Sequence, residues 1–105
     1  MNGVFKALSD PTRRRVLELL RRRPMSAGEI AEHFNVSKSA MSAHFAVLRG
    51  AGLVASTRSG KSLVYELRMS VLEDAVLGFA KALKWDLRKT KRSPALRSAM
   101  EVASQ

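Results

Sequence analysis

Apolar residues recur at helical spacing over most of this chain and lose that spacing once, between residues 53 and 67. Residues 2–8 predict a short helix with Val4, Phe5 and Leu8 on one side. Ser9-Asp10-Pro11-Thr12 then places two capping residues ahead of a proline, whose missing N–H costs nothing at the first helical position. The helix it opens runs to about Arg22, buries Val16, Leu17 and Leu20, and is ended by Pro24. Ser26 and Glu29 stand at capping-box spacing and open a third helix through Phe34. Asn35, a residue that tolerates the left-handed conformation, is expected to close it in a tight turn. A fourth helix spans Val36 to Arg49, with Ser37 as N-cap; Met41, Phe45 and Leu48 repeat at i, i+4, i+7 with His44 beside them.

The period then changes. Gly50 and Gly52 provide a stop, and Leu53–Arg58 and Ser62–Leu67 read as β-prone segments joined at Ser59-Gly60-Lys61, a hairpin whose glycine supplies the strained turn position. Two strands alone are barely stable in water, so the hairpin must lean on the helices as a wing. From Ser70 to Trp85 helical spacing returns, with Leu72, Ala75, Val76, Phe79 and Leu83 in one stripe. That stripe begins after the core is complete. It is expected to pair with the helix at residues 2–8 across a dimer interface containing Val4, Phe5, Leu72, Val76, Phe79 and Leu83. The predicted fold is mainly α with a small β-hairpin, a winged helix-turn-helix of order α-α-α-α-β-β-α, over residues 1–87. A basic tail follows at 88–105, in which Ala95 to Val102 can resume a helix or stay disordered.

Charge narrows the class of partner. The 105 residues carry 19 Lys and Arg against 9 Asp and Glu, a formal net charge of +10. On a single small domain such an excess points to a polyanion, because Lys and Arg release counterions on meeting phosphates. The absence of cysteine excludes disulfides, thiol redox sensing and thiolate metal sites. With no apolar run long enough to span a bilayer and no signal-peptide pattern, a soluble cytoplasmic protein is expected.

The candidate chemistry lies on the polar face of the fourth helix. Ser37, Lys38, Ser39, Ser42, Ala43 and Ala46 are small or singly charged, and a face this slim fits the major groove, which admits one α-helix. Arg58 and Lys61 flank the hairpin tip, where a wing reaches phosphate or the minor groove. The runs Arg13–Arg15 and Arg21–Arg23 read first as solvated faces that set solubility and steering. Catalysis finds no support: no nucleophile has a paired base, and Ser37 and His44 lie two turns apart on one helix. The rival readings are a general nucleic-acid-binding protein, which lacks the interleaved aromatics that stack on unpaired bases, and a winged-helix protein-interaction module.

Three motifs carry a specific resemblance. Leu8-Ser9-Asp10-Pro11-Thr12-Arg13, Val36-Ser37 with Met41-Ser42-Ala43-His44-Phe45, and Val47 to Val54 resemble the opening, recognition-helix and pre-wing segments of the ArsR/SmtB winged-helix repressors, over residues 2 to about 85. Met1 to Arg14 is similar to the start of the SdpR-like autorepressor subgroup. The resemblance implies a homodimer on an inverted-repeat operator in double-stranded DNA, usually its own, repressing by occlusion. It places Ser37, Lys38, Ser39 and Ser42 at DNA-contacting positions and His44 where a histidine helps hold the recognition helix. Ala43 departs from the histidine or polar group common there, which leaves more of the specificity to DNA shape. The family's cysteine-pair metal site would fall on Ser26-Ala27-Gly28, and its carboxylate-histidine site on a last helix without histidine. No metal or other cofactor is therefore expected. The subgroup resemblance alone suggests release by a membrane-bound partner protein.

Overall fold

The structure is a computed structural model that describes residues 2–85. The boundary at residue 87, the tail 88–105 and the helix at Ala95–Val102 lie outside the described residues. In chain order the elements are α1 (Asn2–Leu8), α2 (Pro11–Arg22), β1 (Met25–Ser26), α3 (Ala27–Ala31), α4 (Lys38–Gly50), β2 (Val54–Ser59), β3 (Ser62–Leu67) and α5 (Met69–Ala82).

Caps fix most of these boundaries. The Asp10 carboxylate accepts from the Arg13 N–H at 3.0 Å, ahead of Pro11 at the start of α2. Both halves of the Ser26–Glu29 capping box form: Ser26 Oγ accepts from the Glu29 N–H at 3.1 Å, and Glu29 Oε1 accepts from the Ser26 N–H at 3.2 Å. Ser37 Oγ accepts from the Ala40 N–H at 3.1 Å and opens α4. At the other end Gly52, with φ +76, takes the left-handed position, and the Leu53 N–H reaches back to the Leu48 carbonyl at 3.1 Å. That six-to-one bond ends α4 and starts the chain toward the wing.

The sheet has three strands, not the two of a bare hairpin. Its antiparallel order is β1-β3-β2, with Met25 opposite Tyr65 and Ser26 opposite Val64. Two residues are too few to show alternation, so β1 leaves no periodic signal in the sequence. In the hairpin Ser59 pairs with Ser62, leaving Gly60 and Lys61 as a two-residue loop. Gly60 has φ +59 while Lys61 is not among the positive-φ residues, the pattern of a type II′ turn.

Two helices stop earlier than their sequence pattern suggests. α3 ends at Ala31, because the His33 and Phe34 N–H groups bond to Ile30 and Ala31 three residues back and tighten the chain out of the α period. Asn35 does not take the left-handed conformation: Lys84 is the one non-glycine with positive φ among the described residues. α5 ends at Ala82, before Trp85, because Lys84 (φ 55) turns the chain and the Trp85 N–H bonds to the Ala80 carbonyl at 2.8 Å.

One core joins these elements. Val16, Leu17, Leu19 and Leu20 of α2 meet Ile30, the Met41-Phe45-Leu48 stripe of α4, and Leu53, Val54 and Tyr65 of the wing. Phe45 stacks on Tyr65 with ring centroids 4.6 Å apart, seating the recognition helix on the sheet. Val4 is 5 % exposed within this core. Ala75 and Ala80 bury the inner face of α5, while Val76, Leu77 and Phe79 of the same helix and Leu83 at its C-cap are exposed.

Candidate nucleic-acid interface

α4 divides as its sequence suggests. Met41, Phe45 and Leu48 are buried, whereas Ser37, Lys38, Ser39, Ser42, Ala43 and Ala46 are exposed. Apart from Lys38 these side chains are short, so the helix backbone can approach a groove closely, and Ser37 and Ser39 share a hydroxyl contact at 3.2 Å at its leading end. Among the described residues, Lys38, Arg58 and Lys61 form no ion pair or side-chain hydrogen bond, so their charges face solvent. Arg58 lies on β2 and Lys61 in the turn, at the end of the wing away from the helical core. The wing is tied to α4 at its base: Arg49 Nη1 donates to the Tyr65 hydroxyl at 3.1 Å.

His44 sits apart from that face. Its ring is half-buried against the start of α2, with Nδ1 3.3 Å from Arg13 Nη1 and 3.9 Å from Asp10 Oδ2. The Arg13 N–H, more than any other cause, holds the Asp10 carboxyl below its ordinary value, helped by the nearby Arg13 charge. The hydrogen bond from Arg23 does the same for Glu29, with the Ser26 N–H second.

Sequence reasoning missed what the arginine runs do. Arg13 and Arg14 donate to the terminal carbonyls of α1: Arg13 Nε to Ala7 at 2.8 Å, Arg13 Nη2 to Lys6 at 3.0 Å and Arg14 Nη1 to Leu8 at 2.8 Å. Arg15 pairs with Glu18 at 3.0 Å and Arg23 with Glu29 at 2.8 Å. The usable signal was a short helix with no glycine to receive its last carbonyls, followed six residues later by arginines.

The expected dimer residues scatter. Phe5 and Phe79 meet edge to face at 5.5 Å within the same chain. Val76 is 41 %, Phe79 46 % and Leu83 59 % exposed, while Leu72 is partly buried against the core. Beside them an open groove of about 580 Å³ runs between α2 and α5, floored by Leu8, Leu17, Leu67, Met69, Leu72 and Leu77. Among the described residues there is no group of three or more His, Asp or Glu that could hold a metal ion, and no helix long and apolar enough to cross a membrane.

Comparisons with known proteins agree with this architecture. The family described as bacterial regulatory protein, arsR family, matches residues 10–56, from the cap of α2 into β2. The chain is 49% identical over 76 residues to the transcriptional repressor SdpR of Bacillus subtilis (strain 168), a span of 72% of this chain and 84% of that protein. To the HTH-type transcriptional regulator YceK of the same organism it is 34% identical over 82 residues, 76% of this chain and 82% of that one. Among solved structures, an ArsR-like transcriptional regulator from Rhodococcus sp. RHA1 matches with a TM-score of 0.71 at 30% identity, covering 99% of this chain and 92% of that one. With its winged helix-turn-helix, the chain belongs to the ArsR family of DNA-binding bacterial transcriptional regulators.

Proposed function

We propose that the protein is a transcriptional repressor that binds an inverted-repeat operator as a homodimer, its own promoter among its targets. The carrying observation is the two-faced α4, whose buried stripe of Met41, Phe45 and Leu48 leaves a continuous slim polar face outside. Ser37, Lys38, Ser39 and Ser42 approach base edges and phosphates, Ala43 and Ala46 offer methyl contact to thymine, and Arg58 and Lys61 of the wing meet the flanking backbone. His44 serves from behind, by fixing α4 against α2. The name of its relative SdpR, a transcriptional repressor, supports repression as the sign of regulation.

A dimer is supported by the exposed apolar residues Val76, Leu77 and Phe79 of α5 and Leu83 at its C-cap, with Phe79 touching Phe5 of α1. A two-fold dimer presents two recognition helices about one DNA turn apart, which is the geometry an inverted repeat demands. We read the releasing signal as a protein partner, at the membrane or in solution, rather than a metal ion. The chain has no cysteine and two histidines, one of them packed against Arg13.

The test is Ser42→Asp. A carboxylate on the groove face repels phosphate and cannot pair with most base edges. Operator affinity should fall at least about thirtyfold, given roughly 1–3 kcal/mol for each spoiled contact in two half-sites. Circular dichroism should be unchanged, because Ser42 is exposed. Wild-type operator binding by a folded Ser42→Asp variant would place the groove face elsewhere.

A further inference from the structure

Arg13 does more than cap a helix. Its guanidinium is a rigid planar fork with five donors and no acceptor. Two of its nitrogens are fixed on consecutive carbonyls of α1, Ala7 at 2.8 Å and Lys6 at 3.0 Å. With the plane so held, Nη1 lies 3.3 Å from His44 Nδ1 on α4. A guanidinium only donates, so this contact uses the imidazole tautomer with Nδ1 free to accept. Asp10 closes the cluster from the same side: it takes the Arg13 N–H at 3.0 Å and lies 3.9 Å from His44. One side chain therefore joins three helices at a single point.

The position of that point gives it leverage. His44 is a half-buried polar residue of α4 beside the Met41-Phe45-Leu48 stripe, directly after Ser42 and Ala43 on the outer face. A helix has a radius of about 5–6 Å with its side chains, so a rotation of roughly 10° moves the outer face by about 1 Å. That displacement is enough to spoil a hydrogen bond to a base edge. One residue before Lys6, α1 also touches α5 through Phe5 and Phe79, the apolar region where the second subunit is proposed to pack.

Resting on the operator-binding reading above, we propose that Arg13 is a positioning residue, whose contact with His44 sets the rotation of the recognition helix and transmits to it the placement of α1. Arg13 then contributes to specificity without touching DNA. Loss of the contact lowers affinity for the operator and leaves affinity for scrambled DNA, which depends on phosphate contacts alone, unchanged.

The experiment uses the full chain and two readouts. In anisotropy titrations, His44→Ala is expected to bind operator about tenfold more weakly, the loss of one hydrogen bond to a charged group, with scrambled-duplex affinity within about twofold of wild type. His44→Asn, whose amide oxygen replaces Nδ1 as acceptor, should restore most of the loss. In the Arg13→Lys background, His44→Ala should cost little more. The second readout needs no DNA. Phe5→Ala, a change on α1, should shift the amide resonances of Ser42 and Ala43 in wild type and leave them unmoved in the His44→Ala background. Persistence of those shifts without His44, or a His44→Asn variant as weak as His44→Ala, would overturn the proposal. Should wild type bind operator and scrambled DNA equally, the operator reading fails, and the resonance shifts still decide the coupling.

Discussion

Phe79→Glu should take the dimer apart. Phe79 is 46 % exposed on the outer face of α5, so of a phenylalanine's roughly 200 Å² about 90 Å² is open to a partner. At about 25 cal/mol per Å², covering it contributes roughly 2 kcal/mol. A two-fold interface uses the residue twice, so the total is about 4 kcal/mol, and the dimer dissociation constant should rise about a thousandfold. The translational and rotational cost of association is common to wild type and variant and cancels from the ratio. Part of the penalty falls on the protomer, because the edge-to-face contact with Phe5 at 5.5 Å is lost as well, a term of about 0.5–1.5 kcal/mol. Sedimentation equilibrium over a range of protein concentrations measures the dissociation constant, and thermal melting checks that the protomer still folds. A folded Phe79→Glu protein with a wild-type dissociation constant would refute a dimer built on α5.

Three further outcomes follow from the same geometry. Lys61→Ala, at the wing tip, should weaken binding to operator and scrambled duplex alike and reduce the slope of log K against log salt by about 0.9 per subunit, since a phosphate contact carries no base information; loss confined to the operator would contradict it. Leu48→Ala removes a side chain with 0 % exposure between α4 and the wing and should cost about 3 kcal/mol in urea unfolding, against less than about 1 kcal/mol if that core were loosely packed. Asp10→Asn keeps a capping side chain and removes its charge. The folded protein holds the Asp10 carboxyl below its ordinary value, chiefly through the Arg13 N–H, so the ionised group stabilises the fold above the carboxylate range and that share is lost as pH falls through it. Wild type should melt higher than Asp10→Asn at neutral pH, the difference should close in acid, and a constant difference across the titration would sink the assignment.

Most of the fold is legible in the sequence because its boundaries are chemical. Asp10-Pro11, Ser26 with Glu29, Ser37 and Gly60 each announce a helix start or a turn through a side chain that satisfies or spares a backbone group, and the structure uses all of them. What stayed hidden depends on partners distant in sequence. β1 exists because Met25 and Ser26 lie opposite Tyr65 and Val64, a pairing that two residues cannot signal. Val4 and Phe5 are adjacent and both apolar, yet one fills the protomer's core while the other reaches Phe79; only the packing angle of α1 separates them. Arg13 reads as one cation in a basic run, and its three contacts arise only when α1, α2 and α4 are brought together. The α4 face is legible for the opposite reason, since periodicity alone separates its buried stripe from its polar side.

The central claim is sequence-specific operator binding, and fluorescence anisotropy against the duplex directly upstream of the protein's own gene tests it most directly, at about physiological salt with a scrambled duplex as control. Binding at two protomers per duplex, at least roughly a thousandfold tighter than to the scrambled control, is the predicted result. Equal affinity for the two duplexes would contradict it and leave the charge of +10 serving general attraction to nucleic acid.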